Sequence, residues 1–126
     1  MAGWTEDELS RIGGAELMHL ASRRPDGTLR PYVTMWDVRV GDDIYVRSAY
    51  GPDNGWYRRA KASGAGRIRS GGVERDVVFE DAAPDEATAI TAAYHEKYDE
   101  FGPAIVGTVT GPDAAAVTLR LVPSGA

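Results

Sequence analysis

The chain has 126 residues, 43% of them hydrophobic and 26% charged, with a formal net charge of -5 and no cysteine. A chain of this size makes one domain, taken as 1–126, with room for a core but not for enclosing a bulky ligand alone, so a site shared between two copies is expected. The lack of cysteine excludes thiol chemistry and disulfides, no segment approaches the ~20 apolar residues of a membrane span, and Met1-Ala2-Gly3-Trp4 carries no secretory pattern, so a cytoplasmic location and no membrane partner are expected.

Thr5-Glu6-Asp7-Glu8 spells a capping box that starts a short helix running to about Ile12 and ended by Gly13-Gly14. Glu16 to Ser22 reads as a strand, and Pro25-Asp26-Gly27 as a turn leading into a long second strand over Tyr32 to Val40. Gly41-Asp42-Asp43 closes a hairpin onto a third strand, Ile44 to Tyr50. A basic helix from about Gly55 to Ser63 follows, capped by Asp53 or Asn54 and stopped by Gly64 and Gly66. Arg67 to Glu80 forms a second hairpin whose Gly71-Gly72 tolerates the positive φ angles of a type I′ turn.

Asp85 to Phe101 repeats at helical spacing, with Ile90, Ala93, Tyr94, Tyr98 and Phe101 on one stripe, and Pro103 soon after its end. Beyond a Gly-rich connection, the alternation of Val117, Leu119 and Leu121 marks a last strand. About six strands joined mostly by hairpins, with three helices, predict a mainly β, α+β fold: a small antiparallel barrel with helices packed outside.

The run Ser48, Gly51, Gly55, Trp56, Tyr57, Arg58, Arg59 follows a strand and opens the basic helix. Free N–H groups of a first helical turn, together with the helix dipole, favour an anion there. Charge distribution agrees: residues 23–69 carry ten Lys/Arg against five Asp/Glu, in an otherwise acidic chain. One basic segment is too little for nucleic acid, which needs many phosphate contacts at once, but suits a small anionic ligand.

Arg23, Arg24, Arg30, Arg47, Arg58 and Arg59 are the candidate phosphate or carboxylate ligands, because guanidinium forks match those oxygens bidentately. The competing view makes them solvated charges of an ordinary surface. Tyr50, Trp56 and Tyr57 are candidates to flank an aromatic ring, with Trp56 better suited to the core. Trp36 and Met35 fit barrel core or a dimer contact. His19 fits a buried or interface histidine, and His95 a solvent-facing one. Two isolated histidines give no metal spacing, and no metal is expected.

Taken in order, these elements resemble the flavin-binding split-barrel superfamily that includes pyridoxamine phosphate oxidase, and more closely its deazaflavin-dependent nitroreductase branch. The likeness rests on Ser22-Arg23-Arg24-Pro25-Asp26-Gly27 with Arg30 and Pro31 beyond, on Ser48, Gly51, Trp56 and Tyr57, and on the hairpin carrying Arg67–Ser70 and Glu74-Arg75-Asp76. The whole chain is also similar to a small uncharacterised family of that superfamily. The sequence departs from the branch at Asp53-Asn54-Gly55 before Trp56, at Arg58-Arg59 in place of Asn-Leu, and at Ser63-Gly64 in place of Asn-Pro.

The resemblance implies a six-stranded antiparallel split β-barrel with peripheral helices, assembled as a homodimer that binds FMN or the deazaflavin coenzyme between subunits and passes a hydride to a small organic substrate. Arg23, Arg24, Arg58 and Arg59 would grip phosphate, with Arg30, Arg47, Gly51, Asn54 and Trp56 also in the site and Thr34, Ser48, Ala49 and Tyr50 beside the ring. No residue stands out as the proton donor; Tyr50 and Tyr94 are the candidates. The alternatives are a non-redox protein binding an acidic ligand in the same cleft, and a cofactor-independent isomerase or cyclase.

Overall fold

A computed structural model of the chain describes residues 3–49, 51–111 and 113–124. Helix α1 (Glu6–Gly14) begins with the expected capping box, in which the Thr5 hydroxyl accepts from Glu8 N–H and the Glu8 carboxylate accepts from Thr5 N–H. Strand β1 (Met18–Ser22) follows, then β2 (Val33–Met35), β3 (Val38–Val40), β4 (Asp43–Arg47), helix α2 (Gly55–Ser63) and the hairpin of β5 (Ala65–Ser70) and β6 (Val73–Asp81). Helices α3 (Ala87–Tyr98) and α4 (Pro103–Thr110) and strand β7 (Thr118–Pro123) complete the chain. Among the described residues no helix is long and apolar enough to cross a membrane.

All the strands join one antiparallel sheet in the order β2-β1-β5-β6-β7-β4-β3. Its two edge strands, β2 and β3, are consecutive in the chain and separated only by Trp36 and Asp37, so the sheet curls until its edges meet there. This is the split barrel implied by the resemblance, with seven strands among the described residues instead of six. The long strand expected over Tyr32 to Val40 is divided because Asp37 leaves the ladder. Its N–H donates to the Tyr98 hydroxyl at 3.2 Å, and that hydroxyl lies 3.0 Å from the Asp37 carbonyl and 2.7 Å from that of Glu16. A side chain from α3 thus takes the place of a neighbouring strand.

Two apolar clusters hold the fold. Leu20, Ile44, Val46, Ile68, Leu119 and Leu121 fill the barrel interior, closed by Leu9 and Ile12 of α1 and by Trp56, Tyr57 and Ala60 of α2. Outside, Ile90, Tyr94 and Tyr98 of α3 and Val106 and Val109 of α4 pack on Val38 and Tyr45. Helix α4 lies where a Gly-rich connection was expected. Pro103 occupies its first turn, where a missing N–H costs nothing, and Val106 and Val109, three residues apart, share its buried face.

The β5–β6 turn has φ of 56° at Gly71 and 84° at Gly72, the doubly left-handed geometry expected of that pair. Gly66 is required for a different reason, since a Cβ there would overlap the carbonyl oxygen of Ala21 and the Phe79 ring.

Candidate functional site

Beyond β1 the chain folds back on itself in a tight loop. Arg23 bridges to Leu29, Arg24 N–H donates to the Thr28 carbonyl at 2.7 Å, Arg30 N–H donates to the Ser22 carbonyl at 2.9 Å, and the Asp26 carboxylate accepts from the N–H and hydroxyl of Thr28. Arg24 is pinned over this loop by donating Nη1 to the Leu29 carbonyl at 2.9 Å. Opposite stands one face of α2, where Gly55, Arg58, Arg59 and Ala62 recur at the spacing of a single helical stripe. Between loop and helix lies a cleft of about 760 Å³, lined by Arg23, Arg24, Arg30, Arg58 and Arg59, with Pro25, Ala62 and Ala65 supplying apolar wall.

Five of the six arginines singled out from the sequence therefore converge on one cavity. Arg58 and Arg59 are exposed, and among the described residues neither they nor Arg30 has a side-chain hydrogen bond or ion pair; Nε of Arg30 is buried without a partner. No acidic residue stands in the first turn of α2, and Asn54, at the cap position, turns its side chain away to donate to the Ala49 carbonyl at 3.2 Å. The side-chain capping hydrogen bond expected of Asp53 or Asn54 is thus not made among the described residues, which leaves the first-turn N–H groups of α2 without a side-chain acceptor. Arg59 folds back over it, with Nη1 2.8 Å from where a Cβ on Gly55 would stand, so glycine at 55 keeps room for the guanidinium. Such a donor set fits a phosphate or carboxylate and has no counterpart for a cation. Among the described residues no group of three His, Asp or Glu side chains is placed to hold a metal ion.

The remaining sequence candidates lie elsewhere. Arg47 is 2% exposed and sits between β4, β7, α3 and α4; its guanidinium donates to the Thr118 and Thr91 hydroxyls at 2.9 and 2.7 Å and to the Val109 and Ala87 carbonyls at 2.8 and 3.1 Å. Burial lowers its pKa, and its role here is to pin both outer helices to the sheet. Tyr94 is fully buried, its hydroxyl accepts from Arg47 N–H at 3.0 Å, and burial raises its pKa beyond the ordinary phenol range.

Ser48 and Gly51 line a second cleft of about 580 Å³ with Tyr57 and Asp113, while Ala49 packs on the outer cluster. Trp56 is a core residue, edge-on to Tyr57. Thr34 lies on the open outer face of the sheet, 3.0 Å from Nδ1 of His19. His19, expected to be buried or at an interface, is exposed in the single chain, whereas Ala21 on the same face of β1 is buried. Tyr50 lies outside the described residues.

The sequence reading missed Asp76 as a participant. Its Oδ1 accepts from Nη2 of Arg23 at 3.0 Å and from Nε of Arg67 at 2.8 Å, and the hydrogen bond from Arg67 holds its carboxyl below the ordinary carboxylate range. The signal for the Arg67 pairing was present, since a two-residue turn at Gly71-Gly72 sets residues 67 and 76 directly opposite one another.

Comparison with known proteins agrees with this architecture. Residues 8–121 match the family described as "Uncharacterized protein conserved in bacteria (DUF2255)". No curated protein matches the sequence significantly. Among solved structures, the chain is similar to an F420 reductase at 25% identity, with 97% of each chain covered and a TM-score of 0.65. It is also similar to an F420-H2 dependent reductase (18% identity, 85% and 93% covered, TM-score 0.62). A FAD-binding protein from Mesorhizobium loti shares the fold at 14% identity, with 97% and 91% covered and a TM-score of 0.58.

Proposed function

The chain belongs to the DUF2255 family, and from that premise we propose that it is a flavin- or deazaflavin-binding oxidoreductase that anchors the phosphate of its cofactor in the arginine cleft and acts on a small organic substrate. The observation that carries this reading is the convergence of Arg23, Arg24, Arg30, Arg58 and Arg59 on one cavity beside the uncapped N-terminus of α2. The likeness to an F420 reductase across nearly the whole of both chains supports the choice of cofactor class. When bound, the ring supplies hydride chemistry; the protein's part is to hold the anionic end and fix the ring's position. Arg58 and Arg59, unpaired among the described residues, offer their forks for that end, and Pro25, Ala62 and Ala65 offer apolar surface beside it. A homodimer completes the reading, supported by the uncovered outer face of the sheet, where Leu17 and Val78 remain exposed.

A second reading, a non-redox protein that holds an acidic small molecule, is favoured by one observation: Thr34, Ser48 and Ala49, the residues assigned to the ring, do not line the arginine cleft. Titration with FMN, FAD and the deazaflavin coenzyme, followed by absorbance and fluorescence, separates the two. Saturable binding of one of them with a perturbed ring spectrum supports the redox reading. Binding of none, with retained affinity for inorganic pyrophosphate, leaves the acidic-ligand reading standing alone.

A further inference from the structure

Three charged groups from neighbouring segments of the sheet form a row: Arg23, which lines the arginine cleft just beyond β1, and, outside that lining, Arg67 on β5 and Asp76 on β6. A single carboxylate oxygen, Oδ1 of Asp76, accepts from both guanidinium groups, at 3.0 Å from Arg23 and 2.8 Å from Arg67. The other arm of Arg23, Nη1, donates to the Gly27 carbonyl at 2.7 Å. Anchored through both terminal nitrogens, the planar group of Arg23 is held in one orientation, whereas Arg58 and Arg59 across the cleft have no such hold among the described residues.

We propose that Asp76 is a positioning residue for this cleft: it fixes the guanidinium of Arg23 to receive an anion, and Arg67 holds Asp76 in place. This rests on the reading that the cleft takes an anionic guest. A carboxylate in contact with a cleft arginine would by charge alone repel that guest. Arg67 offsets that charge, so the trio keeps one net positive charge while Arg23 gains a fixed orientation. A preset fork has less motion to lose when it closes on two oxygens, which is how rigidity becomes affinity. The division of labour is then a fixed wall at Arg23 and an adaptable one at Arg58 and Arg59.

The sign of one substitution separates positioning from charge. Binding of FMN and of inorganic pyrophosphate is measured by titration calorimetry for the wild-type chain and for Asp76→Ala, Asp76→Asn, Arg23→Ala and the Arg23→Ala/Asp76→Ala double variant. If Asp76 positions Arg23, Asp76→Ala weakens binding about three- to tenfold although it makes the cleft more positive. Asp76→Asn, which keeps an acceptor oxygen, weakens it less. In the Arg23→Ala background the further change at Asp76 no longer weakens binding, which a merely structural role would not produce.

Should Asp76→Ala fail to fold, weakening in Asp76→Asn carries the test. Unchanged or tighter binding in the Asp76 variants overturns the positioning role and leaves the anion reading intact. Failure of the wild-type chain to bind either probe overturns the anion reading, and this proposal with it.

Discussion

Nζ of Lys97 lies 3.6 Å from Oδ1 of Asp37 and 2.9 Å from its carbonyl oxygen, at the point where the edges of the barrel meet. Asp37 is fully buried, and neither carboxylate oxygen has a hydrogen-bond partner among the described residues. Burial, only partly offset by Lys97, pushes its carboxyl up to about 7. The fold therefore places a costly group at its own seam, held by the tyrosine and lysine at the C-terminal end of α3.

Stability is expected to depend on pH through this group in an unusual sense. A carboxyl whose pKa is raised on folding favours the native state most below its unfolded value of ~3.9, and that advantage is lost as pH rises through about 7. Paired surface carboxylates such as Asp76 work the other way, losing their contribution as pH falls below the unfolded value. Asp37→Asn removes the first effect alone. Chemical denaturation at pH 5 and pH 8 should show the variant gaining on the wild type at the higher pH. A difference that does not move between these values would mean that Asp37 stays ionised throughout.

Replacing Arg47 by Met tests what a buried cation does in this fold. The substitution keeps much of the side-chain volume but leaves the Thr91 and Thr118 hydroxyls and the Ala87 and Val109 carbonyls without their donor. Each buried polar group left without its partner costs about 1–3 kcal/mol, less where a hydroxyl turns to another acceptor, so a loss of about 3 kcal/mol or more is expected in urea denaturation. Thr118 has such acceptors in the Ala114 and Ala115 carbonyls. Affinity of the folded variant for pyrophosphate should match the wild type; a large loss would return Arg47 to the ligand set.

Gly66→Ala should be disproportionately destabilising for so small a change. The added methyl meets the backbone of Ala21 on the paired strand, which cannot rotate away as a side-chain tip would. Relief requires β1 and β5 to part, and overpacking of this kind costs about 1–3 kcal/mol. Thermal denaturation measures it, and a melting temperature equal to the wild type's would show that the strands have slack.

Much of this architecture was legible in the sequence because its signals were local. The capping box at Thr5, the glycine pair at 71–72 and the stripe of Ile90, Tyr94 and Tyr98 along α3 each act within a few residues, and each stands where expected. The helix nevertheless stops at Tyr98, and Phe101, expected on the same stripe, is exposed beyond it. The arginine cleft was legible for a similar reason, since Arg58 and Arg59 share a helix face and Arg23, Arg24 and Arg30 share one loop.

What escaped depends on distant partners. The break at Asp37 is made by Tyr98, 61 residues away, and nothing in the alternation of Tyr32 to Val40 announces it. Arg47 looked like its exposed counterparts until Thr91, Thr118 and Val109 were brought around it by two helices and a strand, one of which, α4, had been read as a connection.

Charge reversal at Arg58 and Arg59 addresses the site most directly. Both side chains are exposed and unpaired among the described residues, so Arg58→Glu with Arg59→Glu should change folding stability little, surface substitutions typically costing within about 0.5 kcal/mol each. Anion affinity should respond far more. Each hydrogen bond to a charged group contributes about 1.5–3 kcal/mol, and two glutamates add repulsion, so pyrophosphate or FMN binding should weaken by about 100-fold or more. The wild-type affinity should also fall as sodium chloride is raised from 50 to 500 mM (about 14 to about 4 Å of screening length), and the double variant, left with Arg23, Arg24 and Arg30, should show a weaker dependence. Retained affinity in the variant would show that these two arginines serve only the surface and that the anion is held by Arg23, Arg24 and Arg30.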